Sequence, residues 1–150
     1  MSRFRRHKKG FTLIELIVVI AIIGILSMIA TVSVMSIMQN NEKKAAKTSL
    51  TNYWKLTAQS FDRINLGFST VSRPTVAAVA TSLGLQTNKV KLTTAECTSL
   101  KKGEVHIQYT ESTSNLKQRF QVKRITINYE GKYYYTDDGK SVHGPKDSLT

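Results

Sequence analysis

The chain has few of the residues that build catalytic, metal-binding or disulfide-linked sites. Among its 150 residues there is one cysteine, Cys97, so no disulfide can form within the chain and no multi-cysteine metal site is available. The sequence contains no phosphate-binding glycine-rich loop, no HExxH pair and no nucleophile elbow. It therefore argues against an enzyme and against a bound cofactor, and no catalytic residue is predicted.

Acidic residues are scarce as well. Ten Asp and Glu stand against 22 Lys and Arg, which gives a formal net charge of +12. This balance favours acidic partners such as DNA, anionic lipid or anionic cell-wall polymers, but it carries no information about the fold.

Charge is absent from a run of 23 residues, Leu16 to Met38, which is rich in Ile, Val and Leu. At about 1.5 Å per residue a helix of this length covers the ~30 Å core of a bilayer, so a membrane-spanning helix is predicted. The basic residues before the run are Arg3, Arg5, Arg6, Lys8 and Lys9. Because basic residues stay on the cytoplasmic side, we expect a single-pass protein with its N-terminus inside.

A single carboxylate, Glu15, lies immediately before the apolar run. A charged group costs about 2.5 kcal/mol or more at the centre of a membrane helix and less near its end, so a nearby cation is needed to compensate. Cleavage between Gly10 and Phe11 would create one. The new α-amino group would lie four residues before Glu15, and the same group on a neighbouring, staggered helix could reach this carboxylate.

This pattern resembles the class III signal and the N-terminal assembly helix of type IV pilins. The residues that carry the resemblance are a Lys-Lys-Gly ending at Gly10, then Phe-Thr-Leu-Ile-Glu-Leu, then the Ile/Val-rich run. The resemblance implies that a membrane-bound aspartyl prepilin peptidase cuts after Gly10 and methylates Phe11. It also implies that Glu15 neutralises a neighbour's amine during assembly.

Two further positions bear on that resemblance. Gly24 falls where these pilins usually carry a helix-loosening glycine. Val32 stands where many major pilins have a proline, so local melting of the helix in a filament is not implied for this chain.

Two other interpretations of the apolar run remain open. An ordinary secretory signal also begins with a basic segment, but this run exceeds the usual 7 to 15 residues, carries Glu15 and lacks a small-x-small cleavage site at its end. The other interpretation is an uncleaved single-pass anchor.

After Met38 the sequence becomes polar but keeps a helical period. The apolar positions that recur every three or four residues are Ala46, Leu50, Tyr53, Trp54, Ala58, Phe61 and Ile64. We predict one helix from about Phe11 to Asn65, ended by Gly67, with Trp54 and Phe61 as core residues. A short second helix is predicted from about Pro74 to Leu83, with Pro74 in its first turn and Gly84 at its end.

The last third of the chain has the alternation of β-strands. The predicted strands are Lys89 to Leu92, Glu104 to Glu111, Phe120 to Tyr129 with a slip near Lys123-Arg124, and Lys132 to Thr136. Glu130-Gly131 is predicted to be a tight turn. The segment 137–150 is polar and is expected to lie over the surface or to fray.

The predicted fold is α+β, the type IV pilin fold, in which a long N-terminal α-helix packs on an antiparallel β-sheet of three or four strands. The predicted divisions are a cleaved leader at 1–10, a transmembrane and assembly half of the helix at 11–38, an amphipathic half at 39–66 and a globular region at 67–150. The leader would remove five basic and no acidic residues, which leaves a net charge of +7.

Three weaker patterns lie in the globular region. The basic residues Lys117, Arg119, Lys123 and Arg124, with Lys101 and Lys102, could form a nucleic-acid-binding strip near the tyrosines at 133–135, although a solvated basic face explains them better. Asp137-Asp138-Gly139 is similar to the calcium loops of secretion pseudopilins, although ordinary turn chemistry accounts for it better, and no metal is predicted. His106 and His143 have no partners at metal-ligand spacing and are expected at a strand surface and in the tail.

The predicted function is structural. The resemblance implies a subunit of a type IV pilus, held in the membrane as a precursor and then assembled with itself or other pilins by an ATPase-driven platform into a surface filament for motility, adhesion or attachment. The alternatives are a minor pilin or competence-type pseudopilin that binds DNA, and a pseudopilin of a type II secretion-like system.

Overall fold

The computed structural model describes residues 10–149, including their side chains except at residues 29–33. Residues 1–9 of the predicted leader, with its basic cluster, and the side chain at the Val32 position lie outside the described part. The chain divides into two compact units, Met1–Gln39 and Asn40–Thr150.

The first helix, α1, is Leu13–Asn65, which confirms the predicted long helix to within two residues at its start. It ends where Gly67 adopts a left-handed conformation with φ +74°. There the Gly67 N–H donates to the carbonyl of Ile64 at 3.1 Å and the Phe68 N–H donates to that of Arg63 at 2.8 Å. These bonds satisfy carbonyls that the end of a helix leaves without partners.

Within Asn40–Thr150, the apolar stripe of α1 supplies one side of the core. Its buried members are Ala46, Leu50, Phe61 and Ile64. The Phe61 ring meets Tyr109 edge to face at 5.8 Å between centroids, and Tyr109 in turn meets Phe120 at 6.2 Å. Phe61 is therefore a core residue as predicted, and Trp54 packs half-buried against the same cluster.

The second helix, α2, is Val76–Leu83. The prediction that Pro74 stands in its first turn was wrong, because Thr75 is the N-cap and its side chain accepts a hydrogen bond from the Ala78 N–H at 3.2 Å. A threonine hydroxyl satisfies a free N–H of the first turn, which a proline ring cannot do. Gly84 ends the helix with φ +67°, as predicted.

The sheet has five strands in the order of the chain, not three or four. They are β1 (Val90–Thr93), β2 (Val105–Glu111), β3 (Phe120–Tyr129), β4 (Lys132–Thr136) and β5 (His143–Lys146). The β1 and β2 strands pair in parallel and the other pairs are antiparallel. The predicted α+β class is confirmed, with the correction that the sheet is mostly rather than wholly antiparallel.

The slip predicted near Lys123-Arg124 is a β-bulge. Gln108 of β2 lies opposite Arg124, whereas the next residue, Tyr109, lies opposite Val122, so Lys123 is the extra residue of β3. The bulge lets Val122 and Ile125 both contribute to the core although their separation breaks strict alternation.

The predicted hairpin turn between β3 and β4 is also confirmed. Glu130 has φ +51° and Gly131 has φ +84°, the two positive angles of a type I′ turn.

The tail was expected to lie on the surface or to fray. Most of its described residues are exposed, but the tail also contains β5, which was not predicted. Tyr133 pairs with Lys146 and Tyr135 with His143, with an irregular register between them. Both outermost strands, β1 and β5, have only four residues, and β5 includes Pro145, which has no N–H to donate.

The loop between β1 and β2 lies against the sheet and is held there by polar side chains. Gln108 donates to the Thr94 carbonyl at 3.2 Å, and Asn128 donates to the Leu100 carbonyl at 2.8 Å. The Tyr133 hydroxyl also donates to the Leu100 carbonyl at 3.3 Å. Gln108 and Asn128 are buried by this loop, so part of the sheet surface is both polar and enclosed.

His106 belongs to this enclosed surface. It is only 4 % exposed, so the expectation of a surface histidine was wrong. Its Nε2 lies 3.0 Å from the Thr93 hydroxyl, while no described group bonds its buried Nδ1. Burial lowers the pKa of His106, and the charge of Lys91 lowers it further.

Candidate assembly segment

The predicted cleavage site lies at the start of the described chain, just before α1. Gly10 and Phe11 are outside any helix or strand, and the Phe11 side chain is 90 % exposed. Among the described residues, no atom lies within 4 Å of a Cβ placed on Gly10.

Thr12 and Glu15 form a reciprocal cap on the first turn of α1. The Thr12 N–H donates to Glu15 Oε2 at 2.9 Å, and the Thr12 hydroxyl donates to the same oxygen at 2.8 Å. The Glu15 N–H in turn donates to the Thr12 hydroxyl oxygen at 3.4 Å. This is a capping box, which pairs otherwise unbonded groups at a helix N-terminus.

The cap has a chemical consequence for Glu15. Both hydrogen bonds that its carboxylate accepts from Thr12 use Oε2, and none of the described residues bonds Oε1. A carboxylate near the positive end of a helix is also favoured by the aligned backbone dipoles. Glu15 is therefore held at the tip of α1 with one oxygen available to an external cation.

The Thr12 contribution was not predicted from the sequence. The signal was present, since Thr-x-x-Glu before an apolar run is the pattern of a capping box.

The apolar part of α1 is exposed along its whole described length. From Leu13 to Met38 the large apolar side chains outside 29–33 are between 49 % and 78 % exposed. Of the helices in the described residues, none combines the length and the apolar character that crossing a membrane requires. So large an exposed apolar surface marks a site of contact with lipid or with other apolar surfaces.

Two of the four predicted basic residues have acidic partners. Arg119 donates from Nε and Nη2 to one oxygen of Glu111, at 3.0 and 2.8 Å. This pairing lowers the pKa of Glu111. The Arg119 guanidinium also lies 5.0 Å from the centre of the Phe120 ring.

Arg124 forms a bidentate ion pair with Asp137, donating from Nε to Oδ1 at 2.6 Å and from Nη2 to Oδ2 at 3.2 Å. Its guanidinium lies over the Tyr135 ring, 4.7 Å from the centroid. Lys117 and Lys123 are exposed and have no acidic partner among the described residues. The structure thus divides the four predicted residues into two paired arginines and two free lysines.

The acidic turn after β4 is stabilised by its own backbone. Asp138 Oδ1 accepts from the N–H groups of Lys140 at 2.8 Å and Ser141 at 2.7 Å, which lowers the pKa of Asp138 to about 2. Among residues 10–149, no group of three or more His, Cys, Asp or Glu side chains is arranged to hold a metal ion. The geometry is that of ordinary turn chemistry.

Cys97 lies in the loop over the sheet and is half-buried as a free thiol. Burial raises its pKa. A thiol with a raised pKa is a poor nucleophile at neutral pH, so the position favours a packing role.

One comparison with known proteins gives a match. Residues 5–31 match the family described as the prokaryotic N-terminal methylation motif. No curated protein and no solved structure matches the chain. The matched residues include the predicted cleavage site, Thr12, Glu15 and most of the exposed apolar segment.

Proposed function

We propose that this chain is a structural subunit of a type IV pilus filament. The N-terminal methylation motif supports a type IV pilin-like prepilin. Cleavage after Gly10 would leave Phe11 as the methylated first residue. The apolar half of α1 would hold the subunit in the membrane and then form the core of the filament. The globular region would coat the outside of that filament.

The observation that carries the proposal is the combination of an exposed apolar helix with one carboxylate at its tip. The large apolar side chains of α1 between Leu13 and Met38, outside residues 29–33, are exposed, and packing among copies of this part of the helix would cover them. In such a dry bundle the free Oε1 of Glu15 needs a cation, and the Phe11 amine of a neighbouring subunit supplies one. The pair would set the stagger between subunits.

The proposal is tested first by mass spectrometry of protein sheared from intact cells. We expect an abundant chain that begins with N-methylated Phe11. A chain found only in membranes, still beginning at Met1 or cut near residue 38, would contradict it. Low abundance in the sheared fraction, with correct processing, would favour a minor pilin or a pseudopilin over a major subunit.

The role of Glu15 is tested by Glu15→Gln, which removes the charge and keeps the shape. We expect a processed, membrane-inserted subunit that fails to enter filaments, because the neighbouring amine loses its counter-charge. Asp62→Asn is the matched control, since Asp62 is an exposed carboxylate on the same helix with no side-chain partner in the described residues. Normal piliation by Glu15→Gln would refute the pairing.

A second candidate function is capture of DNA by the basic surface. It is supported by the two unpaired lysines, Lys117 and Lys123, and by the stacking of Arg124 on Tyr135, because cations beside aromatic rings suit single-stranded nucleic acid. Replacing both lysines with glutamine should weaken DNA binding and reduce its salt dependence, while filaments stay intact. Undiminished binding and DNA uptake would exclude this role.

A further inference from the structure

The first turns of α1 beyond the apolar segment carry a cluster of lysines. Lys43, Lys44 and Lys47 are exposed, and none forms an ion pair with a described acidic residue. The one acidic residue among them, Glu42, is half-buried, and its charge contributes, after Asp147 and Tyr134, to raising the pKa of Lys132. The three lysines therefore present uncompensated positive charge.

The position of these lysines along α1 determines how far they lie from the end of the apolar run. They follow Met38, the last residue of the apolar run, by five, six and nine residues. At the ~1.5 Å rise of a helix these separations are about 8, 9 and 14 Å. Measured outward from the apolar core of the bilayer, these distances fall within the polar headgroup layer plus one Debye length, which is about 8 Å at physiological salt.

We propose that Lys43, Lys44 and Lys47, hereafter the lysine collar, bind the anionic headgroups of the membrane leaflet from which α1 emerges. The inference rests on the proposed function, because it needs the apolar segment to lie in a bilayer. Charge complementarity selects the partner, since three unpaired ammonium groups next to a lipid-facing segment match a layer of phosphates. The collar would set the depth of the helix and would have to be released when the subunit enters a filament.

The collar agrees with the orientation expected from the N-terminal charges. The first ten residues contain five basic residues and no acidic residue, against three lysines and Glu42 just after the apolar run. The stronger basic cluster still lies on the N-terminal side, so the collar does not reverse the predicted topology.

The test uses the full-length protein in vesicles and reads each lysine separately. An uncharged amine-reactive ester, N-hydroxysuccinimidyl acetate, labels only deprotonated amines, and mass spectrometry gives the rate at each lysine. A surface potential of about −30 to −50 mV concentrates protons and lowers the deprotonated fraction of an amine in the headgroup layer about three- to sevenfold. We expect the collar to be labelled about that much more slowly in phosphatidylglycerol-containing vesicles than in phosphatidylcholine vesicles.

Lys117 and Lys123 are the internal controls, because both are exposed, unpaired among the described residues and remote in sequence from the apolar run. Their rates should not change between the two lipids, and 1 M salt should abolish the difference at the collar, because the Debye length then falls to about 3 Å. Equal collar rates in both lipids would overturn the inference. Equal slowing of all five lysines would also overturn it, since that result describes adsorption of the whole basic surface.

Two further arms distinguish lipid binding by the collar from nucleic-acid binding and from a failure of membrane insertion. DNA added to phosphatidylcholine vesicles at the same phosphate concentration should leave the collar rates unchanged, and slowing there would assign the collar to nucleic acid instead. Failure of the protein to float with vesicles of either lipid would refute the proposed function itself. Flotation without selective slowing at the collar would refute only the collar.

Discussion

The contact between Gly139 and Trp54 gives the sharpest test of the packing between the sheet and α1. Gly139 is buried in the turn after β4 with φ +70°. A Cβ added there would lie 2.3 Å from Cδ1 of the Trp54 indole. Since carbon atoms normally approach to about 3.5 Å, the Gly139→Ala variant must displace one group by roughly 1.2 Å.

The expected loss has two parts. The left-handed backbone costs an L-residue about 1–2 kcal/mol, and crowding a packed site adds about 1–3 kcal/mol. Gly84→Ala isolates the first part, because Gly84 has a similar φ of +67° and a Cβ there meets nothing within 4 Å. The free energy of unfolding should therefore fall by about 1–3 kcal/mol more for Gly139→Ala than for Gly84→Ala.

Trp54 is the only tryptophan in the chain, so its fluorescence reports both unfolding and local displacement. Urea unfolding of the full-length protein in detergent micelles gives the free energies. The native emission spectrum should shift in Gly139→Ala and stay unchanged in Gly84→Ala. Equal destabilisation by the two variants, with an unchanged emission spectrum, would refute the predicted contact.

Three further predictions concern polar contacts of the globular region. Asn65→Ala should cost about 2 kcal/mol, because the Asn65 side chain exchanges two hydrogen bonds with the backbone of Phe120, at 2.9 and 3.0 Å, and urea unfolding should detect the loss. Asn128→Ala should cost about 1–3 kcal/mol and speed amide exchange at Gly131, whose N–H donates to Asn128 Oδ1 at 3.0 Å; unchanged protection there would contradict the assignment. The pKa of His106 is lower in the folded than in the unfolded chain, so as the pH falls the unfolded chain takes up this proton at a higher pH than the folded chain does. The free energy of unfolding should therefore be highest above about pH 6.5 and should decrease as the pH drops below that value. His106→Gln should reduce that acid-side slope in unfolding measurements, and an unchanged slope would exclude His106 as its source.

Much of the fold could be predicted because local patterns determine it. The helical period and Gly67 placed the end of α1, and the φ requirements of Glu130-Gly131 placed the last hairpin. The bulge at Lys123 could be predicted because two apolar residues on one side of it fall out of phase with the rest of β3.

The features that escaped prediction depend on contacts between distant parts of the chain. The β5 strand has no apolar alternation, and its membership of the sheet comes from backbone pairing with β4. Burial of His106 and Gln108 depends on a loop whose own sequence does not show that it covers the sheet. The partner of Arg124 was equally hidden, since Asp137 lies 13 residues away along the chain.

In the candidate assembly segment, too, some features could be predicted from the sequence and others could not. Gly10, Phe11 and Glu15 could be proposed from a short motif because they lie within six consecutive residues. Their roles in processing and assembly stay predictions until the N-terminus of the sheared protein and the piliation of Glu15→Gln are measured. The capping box shows that Glu15 has a local partner in Thr12, so the proposed pairing in a filament would add a contact to a carboxylate that is already held in place.

The four-residue strands at both borders of the sheet have a consequence for how copies of this chain can associate. Crowded side by side, globular domains with long unpaired borders would join strand to strand and build a continuous cross-β aggregate. Here each border strand has only four residues, and Pro145 of β5 has no N–H to donate, so neither border offers a long regular row of donors and acceptors. Copies of the chain would thus be able to polymerise through the helix but not through the borders of the sheet.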